Sequence, residues 1–183
     1  MDAVLLDTCV LLKSYLCDTL LSVAEAGTFR PLWSDDIMAE LRRNLVRAGA
    51  KQEAIEHRLG QMAEAFPDAR VTGHESSVSS MTNHPKDRHV LAAAVIGRAD
   101  VLVTENLRDF PEGAVQRYGI TVASQDDFLL GQLELYQEEV IGALRRQVSR
   151  YRREPRSVSS LLGILGGQGQ GCPEFARQCC SLL

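Results

Sequence analysis

No apolar run in this chain approaches the roughly 18 residues that a membrane-crossing helix requires, so the sequence contains no candidate span. The opening stretch MDAVLLDTCV carries acid where a secretory leader carries positive charge, which sets the expectation of a cytoplasmic protein. Cysteine is scarce. Five residues, an odd number without zinc-type spacing, fit reduced thiols better than a disulfide framework. The four histidines, His57, His74, His84 and His89, show no ligand spacing and read as surface or local hydrogen-bonding groups. Positive charge is not in excess either. A formal charge of −4 excludes a global attraction to nucleic acid and leaves only local patches for it. No internal repeat is evident.

What the chain does have is alternation. With 183 residues, 45% hydrophobic and 24% charged, it reads as one domain plus an extension. Residues 3–6 (AVLL) predict a buried strand ending at Asp7, and residues 11–26 a helix closed by Gly27. Residues 29–33 are extended. Ser34 then precedes DDIMAELRRNLV, an N-cap followed by acids in the first turn, with Ile37, Leu41 and Leu45 as the apolar stripe. A helix is expected over about 52–66, a polar loop before His84, and a helix opened by Asp87. Strands are expected at 101–104 and 120–124. Such alternation argues for a parallel sheet covered by helices, with sites outside the carboxyl ends of the strands. Beyond about residue 127, Leu133, Tyr136, Val140, Leu144, Val148 and Tyr151 step by three or four and predict one long amphipathic helix over 127–153, capped by Asp126 and Asp127. A glycine-rich segment near 166–171 and a short helix or loose tail follow. The domain boundaries expected are 1–130 and 131–183.

The acids at structurally special places are Asp7, Glu40, Asp87 and Asp109. Each has an ordinary explanation alone, as a cap, a loop residue or a solvated helix acid. Together they raise a problem. Glu40 and Asn44 fall beside or within the apolar stripe of their helix, and a carboxylate bordering a core costs desolvation unless paired or metal-bound. Converging carboxylates repel, a divalent cation removes that penalty, and an all-oxygen donor set favours Mg²⁺ or Mn²⁺. Such a site suits phosphodiester hydrolysis, with no histidine or cysteine nucleophile required.

The segments LLDTCVLL, WSDDIMAELRRNL, HPKDRHVLAAAV and VLVTENLRDFP, in this order and spacing, resemble PIN-domain ribonucleases of the VapC toxin type over about residues 1–130. The resemblance implies a three-layer α/β/α fold with a central parallel sheet, plus a C-terminal helical extension like that of some bacterial toxins. It implies Mg²⁺- or Mn²⁺-dependent endoribonuclease activity, in which a metal-activated water cleaves RNA. The catalytic and metal-ligating set is then Asp7, Glu40, Asp87 and Asp109, with Thr104 and Asn106 in support and Arg42, Arg43, Lys86 and Arg88 placed for RNA phosphates. A cognate antitoxin and a homodimer are the implied protein partners. Many members of the family carry Asn where this chain has Cys9, which puts one polar contact that orders the first acid in question, but not the acid itself.

Other α/β families fit the same residues less well. A phosphatase of the haloacid-dehalogenase type would resemble D-x-D at the first strand, where this chain reads Asp7-Thr8-Cys9. A receiver domain would want a lysine late in the fold, and 101–124 has none. A non-catalytic PIN-like partner-binding module would not need the full acidic set. Residues 145–156 hold six arginines, read either as a solvated face paired to Glu134, Glu138 and Glu139 or to another subunit, or as a phosphate-contacting patch.

Overall fold

Ala3, Val4, Leu5 and Leu6 are all buried in strand β1 (Asp2–Leu6). A strand apolar on both faces belongs inside a parallel sheet covered by helices, and the computed structural model, which describes residues 1–183, has that architecture. The other strands are β2 (Phe29–Ser34), β3 (Arg70–Val71), β4 (Val101–Val103) and β5 (Thr121–Ala123), in the spatial order β3-β2-β1-β4-β5. β1 runs parallel to β4, with Leu6 opposite Val103, and β2 parallel to β3, with Ser34 opposite Val71. Helices flank this sheet and a helical extension completes the chain, in keeping with the expected α/β/α class. No helix is long and apolar enough to cross a membrane.

Two compact units divide the residues. One comprises Asp2–Leu12 and Arg30–Val122; the other comprises Lys13–Phe29 and Ala123–Leu183, with Met1. The division in space therefore does not fall at a single point in the chain.

In the first unit, α1 (Thr8–Leu12) follows β1 at once, because the Asp7 carbonyl accepts from both Val10 N and Leu11 N at 3.2 Å. The single helix expected over 11–26 is broken at Lys13, whose ψ of 112° is extended, and restarts as α2 (Ser14–Glu25) in the second unit. Helix α3 (Asp35–Arg47) begins as the sequence dictates: Ser34 Oγ accepts from Ile37 N at 3.2 Å, and Asp35 and Asp36 fill the first turn. Ile37, Leu41 and Leu45 are buried, each such side chain being worth about 1.5–3 kcal/mol. Helix α4 (Gln52–Ala65) follows, and Trp33 meets Phe66 edge to face with centroids 6.1 Å apart. Helix α5 (Arg88–Ile96) packs on β1 through a fully buried run from Val90 to Ala94. Its end presses on neighbouring strands. A Cβ at Gly97 would lie 2.8 Å from Val71 Cγ2 and 3.1 Å from Leu32 Cδ1, so only glycine fits. A short helix, α6 (Glu112–Val115), precedes β5.

The second unit corrects the reading of 127–153 as one helix. It is two, α7 (Gln125–Leu135) and α8 (Gln137–Arg150), separated at Tyr136, which has φ −137° and ψ 52°. Tyr136 donates to Gln132 O at 2.8 Å and accepts from Val140 N at 3.0 Å, so it ends one helix and starts the next. A spacing of three and four persists across such a one-residue break, and periodicity cannot reveal it. Gln147 is buried, accepts from the Thr19 hydroxyl at 3.0 Å and donates to Tyr151 Oη at 2.9 Å, joining α8 to α2. Arg150 pairs with Glu25 at 2.6 Å, not with Glu134, Glu138 or Glu139. Helices α9 (Val158–Leu165) and α10 (Pro173–Cys180) close the chain, so the tail is helical. Asp126 does not cap α7. Its carboxylate accepts from Glu174 N at 3.1 Å and Phe175 N at 2.8 Å at the start of α10, while Ser124 caps α7.

Candidate active site

The parallel register of β1 with β4 puts the residues just past their carboxyl ends side by side. Asp7 N donates to Val103 O at 3.1 Å, and the Thr104 hydroxyl donates to Asp7 Oδ2 at 2.7 Å. Thr104 Oγ1 in turn accepts from Asn106 N at 3.0 Å, which fixes the direction of its proton. The other carboxylate oxygen of Asp7 accepts from Thr8 N at 2.7 Å. Asp7 is buried, and burial pushes its carboxyl above the ordinary 3.8; the Glu40 charge adds to this, while the Thr104, Cys9 and Thr8 hydrogen bonds oppose it.

Cys9 makes the contact that its place in the sequence put in question. Its Sγ donates to Asp7 Oδ2 at 3.3 Å and accepts from Glu105 N at 3.3 Å. Burial first, and the Asp7 charge second, push this thiol up to about 12. Cys9 is therefore a neutral donor to the carboxylate and not a nucleophile.

Glu40 reaches the same region from α3. Its Oε2 accepts from the Thr8 hydroxyl at 3.2 Å, and His89 Nε2 lies 3.7 Å away. α1 and α3 pack together, which holds this contact. His89 and Arg43 line a surface cleft of about 390 Å³ with Asp36, Glu75 and Val78.

Asp87 stands at the N-terminus of α5 yet makes no capping hydrogen bond. Its side chain does not serve as the helix cap. Asp87 is buried, and its Oδ2 has no hydrogen-bond partner. Its carboxyl is pushed up to about 6 by burial first, then by the Asp7 charge, then by a hydrogen bond to Asp109 and the Asp109 charge, with Lys86 acting in the opposite sense. One donor atom each of His84, Asp87 and Asp109 lie within 4.8 Å of one another, a grouping able to hold a metal ion. Asp7 and Glu40 lie outside this tight group; the Asp7 charge acts on Asp87, and the Glu40 charge acts on Asp7.

Backbone geometry explains the gathering. Pro85–Asp87 form a 3₁₀ turn closed by Asp87 N to His84 O at 2.9 Å, and in such a turn residues three apart eclipse. A second 3₁₀ turn, Leu107–Asp109, is closed by Asp109 N to Asn106 O at 2.9 Å, so Asn106 orders both Thr104 and Asp109 through its backbone. His84 N donates to Asp109 O at 3.0 Å and ties the two turns together.

A family model described as PIN domain matches residues 3–108. The chain belongs to the PIN-domain family. A second model, described as VapC50 C-terminal domain, matches residues 125–180, which makes this a PIN domain of the VapC type with its own extension. A protein of Mycobacterium tuberculosis described as "Putative ribonuclease VapC50" is 46% identical over 106 residues, covering 58% of this chain and 61% of that protein. The match thus spans about three fifths of that relative's length. No solved structure matches.

Among the basic residues expected near this PIN site, Arg42 pairs with Glu56, and Arg88 Nε donates to Asn83 O at 3.4 Å. The side chains of Arg43 and Lys86 make no such bond. The sequence reading did not single out Thr8, Cys9 or His84 for the site. For His84 a signal existed, the Pro85 that starts a 3₁₀ turn and sets His84 over Asp87. His74, also read as a surface or local group, is buried and bonds Asp36 at 2.9 Å.

Proposed function

We propose that this chain is a Mg²⁺- or Mn²⁺-dependent endoribonuclease, the toxin of a toxin–antitoxin pair, acting in the cytoplasm. One observation carries the reading. Carboxylates of Asp7, Asp87 and Asp109, with Glu40 beside them, collect past the carboxyl ends of adjacent parallel strands, and the buried Asp87 Oδ2 has no partner within the protein. That oxygen is left unsatisfied by the fold, and a divalent cation would satisfy it.

The donor set fits such a cation. Asp87 and Asp109, which lie close together, would hold it, with Asp7 and Glu40 proposed to complete the set; when bound it supplies charge neutralisation at the scissile phosphate and acidifies water. The chain's own residues do the rest. Thr104 and Cys9 aim one Asp7 oxygen by donating to it, and Thr8 N aims the other. Thr8 also positions Glu40. Arg43 and Lys86 are the basic side chains left available for RNA phosphates, and the cleft beside His89 offers room for a nucleotide. Without a cation, four carboxylates would repel the phosphates of RNA. The same acidic edge suits a basic segment of a cognate antitoxin, whose cation would occupy the metal's place. A homodimer completes the partners proposed.

The test is cleavage of RNA by the purified chain with Mg²⁺ or Mn²⁺, with product ends mapped. The expected products carry 5′-phosphate and 3′-hydroxyl ends. Chelation by EDTA, or Asp7→Asn, should abolish cleavage. Cleavage unchanged by either, or 2′,3′-cyclic phosphate ends, would overturn the mechanism. No cleavage of any RNA, with partner binding intact, would favour a binding module instead.

A further inference from the structure

The tight donor group is not made of oxygen alone. We propose that His84 supplies a nitrogen ligand, so that His84, Asp87 and Asp109 form a mixed nitrogen–oxygen site selecting a first-row transition-metal dication of the Mn²⁺ class over Mg²⁺. The proposal rests on reading the acidic edge as a cation site, and adds to it a ligand and a metal preference.

Three independent features place His84 there. A donor atom of His84 lies within 4.8 Å of carboxylate oxygens of both Asp87 and Asp109. Two backbone bonds build that position: Asp87 N to His84 O at 2.9 Å, and His84 N to Asp109 O at 3.0 Å. The imidazole itself is nearly uncommitted, because its one hydrogen bond is a long one, Nδ1 accepting from Lys86 N at 3.4 Å. The partnerless, buried Asp87 Oδ2 shows that the group lacks a counterpart. No ion pair joins His84 to either acid, whereas His74 and His89 do approach acids. Mg²⁺ prefers oxygen in a strict octahedron and sheds water reluctantly, while imidazole suits transition metals.

The test uses the full chain without RNA. Mn²⁺ and Mg²⁺ affinities are measured by titration for the wild type, His84→Gln and His89→Gln. Pulsed EPR of the Mn²⁺-loaded protein is compared between ¹⁴N- and ¹⁵N-histidine samples. The wild type should bind Mn²⁺ at least about tenfold more tightly than Mg²⁺ and show a nitrogen coupling that follows the isotope. His84→Gln should lose that coupling and about tenfold in Mn²⁺ affinity, with Mg²⁺ affinity kept within about twofold. His89→Gln should keep the coupling. Absence of nitrogen coupling in the wild type, its persistence in His84→Gln, or its loss in His89→Gln would each overturn the assignment. Coupling without RNA cleavage would sink the nuclease reading and leave this one standing. Cleavage without coupling would do the reverse.

Discussion

The Thr104 hydroxyl donates to Asp7 Oδ2 at 2.7 Å from the neighbouring strand, while itself accepting from Asn106 N at 3.0 Å. The threonine has only one proton to give, and Asn106 leaves it pointing at the carboxylate. Thr104→Val keeps the shape and removes the donor. Metal affinity or kcat/KM on RNA should fall about 10–100-fold, and Thr104→Ser should restore most of it. Equal activity of Thr104→Val and the wild type would show that the bond does not orient Asp7.

Asp87 gives a pH dependence with a definite sign. Its folded carboxyl titrates at about 6, against an ordinary 3.8, because burial and the Asp7 and Asp109 charges disfavour ionisation. The unfolded chain therefore gives up this proton first. The stabilising contribution is full below 3.8 and is lost as pH rises through about 6. In metal-free protein, Asp87→Asn should melt above the wild type, by a margin that widens from about pH 5 to about pH 7. Saturating metal should reverse the order. Thermal melts across pH, with EDTA and with Mn²⁺, check both halves.

Gly97 sits where a methyl group has no room, 2.8 Å from Val71 Cγ2. Gly97→Ala gains helix propensity but must push strand side chains aside, at a cost of about 1–3 kcal/mol. Urea unfolding should show the net loss. The next residue, Arg98, holds φ at 53° in the left-handed region, and its neighbour Ala99 donates to Ala94 O at 2.8 Å. Arg98→Gly should therefore stabilise the same helix end, by about 1 kcal/mol.

Cys9 should resist alkylation. Burial and the Asp7 charge hold its thiol near 12, so at about pH 8 almost none is thiolate. Exposed Cys180 should react first with iodoacetamide, and Cys9 only on unfolding. Mass mapping of the labelled sites decides it. Rapid labelling of folded Cys9 would show that the thiol does not donate to Asp7.

Asp126 should matter to a helix 48 residues away. Asp126→Ala removes the acceptor for Glu174 N and Phe175 N, a loss of about 1 kcal/mol. Hydrogen exchange should show faster opening of Pro173–Cys180 while α7, capped by Ser124, is unchanged.

The sequence by itself determined most of the elements and where the candidate acids sit along them. The apolar run before Asp7 reads as a covered strand, Ser34 with two following acids reads as a helix start, and strand-then-helix alternation sends Asp7 and the Thr104–Asp109 segment to one edge of a parallel sheet. These rest on local chemistry and period, which the chain displays openly. Tertiary structure decided what each side chain does on arrival. Whether Asp87 caps or faces the site, whether Asp126 caps its own helix or a distant one, and whether Cys9 can replace an amide all depend on atoms far away in sequence. So does the break at Tyr136, where the apolar spacing continues while the backbone turns. His84 joined the acids only because two 3₁₀ turns are tied by one backbone bond, from His84 N to Asp109 O. Hydrogen bonds are directional and short-ranged, so spacing can nominate partners, but only the folded register decides which donor meets which oxygen.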